Sequence, residues 1–192
     1  MPKRVDAAAQ RAVIRDAARR AFGSRGVAGT GLSHVAREAG MGRSSLYHYY
    51  PDKQRLVREL ALDLVRQEAR LFATALQDPG SPLERIERLA QGLPRVVTEW
   101  SRLGTMIFDL WSRDASLFRP FFRQMRGDLA SLIRQGQDHC EIDTALDAEL
   151  TAAVVIGAID GLVLQHLIDP DAFTDLSALS NTIASIFLRA LR

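Results

Sequence analysis

Leu32-Ser33-His34-Val35-Ala36-Arg37-Glu38-Ala39-Gly40-Met41-Gly42-Arg43-Ser44-Ser45-Leu46-Tyr47-His48-Tyr49-Tyr50 is the stretch on which the reading of this chain turns. Two short helices joined by a tight turn need three things: a small residue where they cross, a residue tolerant of positive φ at the turn, and apolar side chains that seat the second helix on the first. Ala36 supplies the first, Gly40 the second, and Val35, Ala39, Met41 and Leu46 the third. The spacing predicts helices over 32–39 and 43–49 with a turn at 40–42. Arg43, Ser44, Ser45, Tyr47 and His48 are then left to face outward, as the polar face of a helix inserted into a DNA major groove does. Gly42 leaves the first amides of that helix open toward a phosphate or base edge. An ordinary helical hairpin with a glycine turn satisfies the same spacing, so the surroundings have to decide between the two.

Charge is the first of those surroundings. The net charge is only +2, but residues 1–60 hold 12 Lys/Arg against 5 Asp/Glu, whereas residues 61–192 hold 13 against 18. A basic head on an acidic body is the outline of a module that binds a polyanion joined to one that binds something else. Lys53, at the start of the following helix, suits a phosphate contact.

Working outward, the chain reads as helix, turn and helix throughout. Ile14, Ala17, Ala18, Ala21 and Phe22 repeat at helical spacing in a first helix from about Asp6, and Gly23 and Gly26 supply stop signals. Pro51 and Asp52 break the chain before a fourth helix that carries Leu56, Leu60, Leu64 and Leu71 to about Leu76. Asp78-Pro-Gly-Ser-Pro is a loop, after which Ser81, Pro82 and Glu84 carry capping-box chemistry for a fifth helix. Further helices are expected over about Ser101–Trp111, Ser116–Gln137, Asp147–Ile168 and Asp175–Leu191. No alternating strand pattern and no internal repeat is visible. The expectation is an all-α fold of about nine helices, divided into a DNA-binding domain over 1–52 and a larger helical domain over 53–192.

Composition narrows the function. With 47% apolar and 25% charged residues the chain is an ordinary globular protein, and its single cysteine, Cys140, excludes an internal disulfide framework and a Cys-rich metal site. His34 and His48 lie on neighbouring short helices, but His139 and His166 are far away in sequence, and no metal is expected. Met-Pro-Lys-Arg at the start lacks the apolar segment of a signal peptide, so a cytoplasmic location is expected. Leu150–Ile168 is the nearest approach to a membrane span, but Asp160, Gln165 and His166 interrupt it; a helix buried on most sides in an oligomer core explains it better. There is no nucleophile–base pair, no phosphate loop and no metal triad, so neither an enzyme nor a cofactor is expected.

At residues 6–60 the sequence resembles the tetracycline-repressor (TetR) family of one-component regulators. The elements that carry the resemblance are Thr30, Val35-Ala36, Ala39-Gly40-Met41, Arg43-Ser44-Ser45, Leu46-Tyr47-His48-Tyr49-Tyr50 and Lys53. The resemblance implies base or phosphate contacts from Arg43, Ser44 and Ser45, phosphate contacts from Tyr47, His48 and Lys53, and a place for Thr30 near the DNA backbone. Tyr50 stands where a core phenylalanine is usual and reads as packing. Gly31 and Gly42 depart from the family pattern, standing where a second threonine and a capping serine are frequent.

The same resemblance places a small apolar or amphipathic effector in the larger domain. Trp100, Met106, Phe108, Asp109, Trp111, Phe118 and Phe122 are its candidate pocket residues, although helical core is the plainer reading for each bulky one and an i,i+4 ion pair with Arg113 is the plainer reading for Asp109. Val154, Gly157, Gly161 and Leu164, with Ile183 and Phe187 on the last helix, suggest a surface that pairs across a two-fold axis. The expected function is an effector-released repressor that binds double-stranded operator DNA as a homodimer. A helical small-molecule carrier or adaptor that reuses the fold without DNA is the alternative.

Overall fold

The computed structural model describes residues 6–192, apart from the side chains at positions 99, 101–103, 105, 106 and 109. Its regular elements among these residues are all helical: α1 (Ala7–Arg25), α2 (Leu32–Glu38), α3 (Arg43–Tyr49), α4 (Lys53–Gln77), α5 (Pro82–Gln91), α6 (Leu93–Arg113), a short 3-10 turn (Ala115–Phe118), α7 (Arg119–Asp138), α8 (Ala148–Ile168) and α9 (Leu176–Leu191). The all-α expectation holds. Side-chain caps set several of the starts: Asp6 accepts the N–H of Ala8 at 2.9 Å, Asp147 that of Leu150 at 2.9 Å, and Asp175 those of Ser177 and Ala178. Ser81 and Glu84 form the reciprocal box that their spacing predicts.

Two boundaries correct the sequence reading. The sixth helix starts at Leu93 and not near Ser101, because Gly92 alone, with φ −76° and ψ −11°, interrupts the run after α5. Pro94 falls in the first turn of α6, where its missing N–H leaves no bond unmade. The seventh starts at Arg119, since Ala115–Phe118 winds as a tighter 3-10 turn.

The chain forms two compact units, one made of residues up to Leu64 with Thr105–Arg113, the other of Val65–Gly104 with Asp114–Arg192. In the first unit α1 packs on α2 and α2 on α3. Ile14, Ala18, Phe22, Val35, Ala36 and Leu46 are all buried there. Gly40 holds φ +64°, and the N–H of Met41 reaches the carbonyl of Ala36 at 3.0 Å, which closes α2 and aims the chain into α3. Arg15 of α1 grips the start of α4 twice, through Nη1 to Glu59 at 3.0 Å and Nε to Asp63 at 2.9 Å.

In the second unit Leu129, Leu132 and Ile133 of α7, Ala152 and Ile156 of α8, Ile86 of α5 and Leu191 of α9 form one buried cluster. A smaller one joins Ala90, Leu93, Ile183 and Ala184. Glu68 is buried and held by both terminal nitrogens of Arg95, at 2.9 and 3.0 Å, so its charge is not left alone in the interior.

Thr30 turns inward. It is fully buried, and its hydroxyl lies 2.8 Å from the carbonyl of Gly26 and 3.2 Å from that of Ala21, which pins the segment between α1 and α2. Thr30→Val preserves the shape and removes the donor. Thermal unfolding should show a loss of about 1–2 kcal/mol with helix content unchanged; an unaltered melting temperature contradicts the assignment.

Candidate nucleic-acid interface

The polar face anticipated for the second short helix is present. On α3, Arg43, Ser44, Ser45, Tyr47 and His48 are exposed, while Leu46 is completely buried. One apolar anchor therefore holds a seven-residue helix of which five side chains stay available and Tyr49 is half-buried. Burying a leucine contributes roughly 1.5–3 kcal/mol, an ample hold for so short an element. The Arg43 guanidinium lies over the Tyr47 ring, 5.6 Å from its centroid, so the two side chains restrain each other by cation–π attraction. His48 meets Tyr49 edge-on at 5.6 Å.

Neither short helix has a side-chain N-cap. Gly42 leaves α3 without one and Gly31 leaves α2 without one; at α2, Nδ1 of His34 accepts the N–H of Gly31 at 3.4 Å. That bond occupies the N–H of Gly31 itself, whereas a threonine hydroxyl at position 31 would accept an N–H of the first turn of α2, which here has no side-chain acceptor. Lys53 is half-buried and its ammonium donates to the carbonyl of Val27 at 2.9 Å. Thr30 and Lys53 accordingly brace the segment before α2 from two sides.

Tyr50 is fully buried, as its reading as a packing residue requires. Its ring lies under the Arg11 guanidinium, 5.5 Å from centroid to Cζ, and its hydroxyl faces Glu59 and Arg15. Burial first, and the Glu59 carboxylate second, push the phenol above its ordinary value, so it keeps its proton. The spacing of the helix-turn-helix does not reveal the inward half of this site. Lys53 and Val27 are 26 residues apart and Arg15 and Glu59 are 44 apart, beyond the reach of local periodicity.

The candidate pocket residues divide between the two units. Phe108 and Trp111 belong to the first, where they are exposed and meet edge-on at 6.0 Å. Trp100, Phe118 and Phe122 belong to the second; Phe118 is buried, and Trp100 stacks on Phe121 at 6.2 Å. The side chains of Met106 and Asp109 lie outside the described residues.

Of the candidate pairing residues, Val154, Gly157 and Leu164 are exposed and Gly161 half-buried on α8, in line with exposed Leu150 and Ile168. A Cβ added at Gly157 or Gly161 would meet nothing within 4 Å. On α9 Phe187 is half-buried, and Ile183 packs inside its own unit. The helix α8 is long and apolar enough to cross a membrane, with a mean hydropathy of 1.7, and only 11% of that stretch is buried. Asp160, at the edge of the stripe, is exposed, yet loss of hydration, offset in part by Arg126, pushes its carboxyl up to about 6.

This chain matches known proteins along most of its length. Residues 14–60 match the model of bacterial regulatory proteins of the tetR family, and residues 113–191 that of the BetI-type transcriptional repressor, C-terminal. The HTH-type transcriptional regulator BetI of Agrobacterium fabrum is 30% identical over 175 residues, which cover 86% of this chain and 81% of that protein. A transcriptional regulator of the TetR/AcrR family from Thermobifida fusca has a similar fold, with a TM-score of 0.77, 21% identity and coverage of 95% and 98% of the two chains. SmeT, the repressor of the Stenotrophomonas maltophilia multidrug efflux pump SmeDEF, gives 0.72, 19%, 94% and 89%. With its helix-turn-helix and these matches at both ends, the chain belongs to the TetR family of transcriptional regulators.

Proposed function

We propose that this chain is a cytoplasmic repressor that binds operator DNA as a homodimer and is released by a small apolar or amphipathic effector. The observation that carries the DNA half is the division of α3 into one buried anchor, Leu46, and five exposed polar or aromatic side chains, Arg43, Ser44, Ser45, Tyr47 and His48. Arg43 is the candidate for a bidentate base contact, and the serine hydroxyls and Tyr47 suit phosphate oxygens. Residues 1–52 form the reading head and 53–192 the part that pairs and senses. Lys53 and Thr30 act from behind: they hold the entry to α2 and leave the phosphate contacts to the exposed face of α3, His48 included.

The pairing half rests on α8. Leu150, Val154, Gly157, Gly161, Leu164 and Ile168 recur every three or four residues and form one stripe. A stripe this apolar exposed to water on an isolated chain carries a free-energy cost that a second copy removes. Pairing also matters for affinity, since two linked heads engage two half-sites at once. The match to a family of transcriptional repressors and the role of SmeT as the repressor of an efflux pump support repression as the direction of control. Because α4 contributes residues to both units, a ligand that displaces its second half has a covalent route to the head.

Arg43→Ala should cost about 1–3 kcal/mol of operator affinity in fluorescence anisotropy, while the elution volume of the protein stays the same. Unchanged affinity would remove α3 from the interface. Val154→Arg places a charge in the middle of the stripe; sedimentation should find a monomer whose operator binding is much weakened. A dimer of native stability in that variant puts the pairing surface elsewhere.

A further inference from the structure

Trp100 Nε1 and His166 Nδ1 are buried in the second unit, and neither has a hydrogen-bond partner among the described residues. Buried polar atoms of this kind are rare, because each gives up water and receives nothing in return. The two lie near one crossing of helices. On α6, Gly104 is one turn beyond Trp100, and a Cβ there would fall 2.5 Å from Cδ1 of Leu167, so the Leu167 side chain of α8 occupies the space that the glycine leaves open. Leu167 is the neighbour of His166, whose ring stacks on Phe173 at 6.4 Å. Trp100 itself stacks on Phe121 of α7 with an interplanar angle of 29°, and Phe121 meets Phe122 at 5.3 Å.

The chemistry of the unpaired groups limits what completes them. An indole N–H donates and cannot accept, so its missing partner is an acceptor. The faces beside it are flat, apolar rings that favour an apolar, planar body. A carboxylate or other full charge would be poorly solvated against these rings, whereas a ketone, ester or phenol oxygen supplies the acceptor without an ion.

We propose that the second unit binds a planar, largely apolar, uncharged compound whose oxygen accepts the Trp100 Nε1–H, and that the effector is of this class. The last clause rests on the reading of the chain as an effector-released repressor; the binding site itself does not.

The test uses the full chain without DNA and a matched pair of probes, 2-acetonaphthone and 2-isopropylnaphthalene, which share a shape and differ in the carbonyl acceptor. The ketone should bind about tenfold more tightly, the worth of one well-placed hydrogen bond. It should also move one of the two tryptophan indole N–H resonances, the one absent from Trp100→Phe, to lower field, and the hydrocarbon should not. Trp100→Phe should bring the two affinities to within about twofold of each other. The inference is overturned if the native chain binds neither probe or both equally, or if the preference for the ketone survives in Trp100→Phe. Should that variant fold poorly, the native affinity ratio and the indole shift decide alone. Operator affinity with and without the ketone is measured separately: binding at Trp100 without release upholds the site and contradicts the effector-release reading.

Discussion

The left-handed backbone at Gly40 is the constraint on which the DNA-reading surface depends. With φ at +64° the chain leaves α2 abruptly, the N–H of Met41 closes on Ala36, and α3 begins after a single further residue, Gly42. A side chain at position 40 would strain that turn by about 1–2 kcal/mol. Only from this geometry does Leu46 reach the interior while its five neighbours on α3 stay outside. The recognition surface is therefore a consequence of one turn and one buried leucine. Its mounting is more extensive: Thr30 and Lys53 fasten the entry to α2, and Arg15 with Glu59 and Asp63 ties α1 to the first turns of α4.

That division explains what could be read from the sequence. The exposed residues of α3 follow from a period of 3.6 once Leu46 is taken as the inward position, and Ala36 and Gly40 announce the crossing and the turn. The bracing residues follow from nothing local. Thr30 belongs to a loop whose path is set by carbonyls four and nine residues earlier, and it turns into the interior where the family resemblance suggested a place near DNA. The start of α6 is hard to read for another reason: Gly92 and Pro94 are residue types that usually end helices, yet a proline in a first helical turn breaks nothing. Among the aromatic residues, helical spacing indicates a common element but not a common environment. Trp100 and Trp111 stand on the same helix and belong to different compact units.

The larger part of the chain contains a tension of its own. The most apolar helix, α8, is also one of the least covered, with an unbroken stripe from Leu150 to Ile168 and a carboxylate, Asp160, on its edge. A buried core helix would not leave such a stripe in water, and a membrane span would not place Asp160 and His166 within it. Pairing with a second copy accounts for both the apolar stripe and its polar border. The same helix turns another face inward, where Leu167 meets Gly104 and His166 Nδ1 has no partner among the described residues, so α8 serves the interior as well as the proposed interface.

The central claim is that two copies of the α3 surface, carried on one dimer, read DNA. Selection of the native chain on random-sequence duplexes, followed by footprinting of the enriched pool, tests it most directly. The account predicts an inverted repeat whose two halves are centred about 10 base pairs, or a multiple of that, apart, with the major groove protected in each. A pool with no enriched sequence, or with a single unpaired half-site, contradicts it.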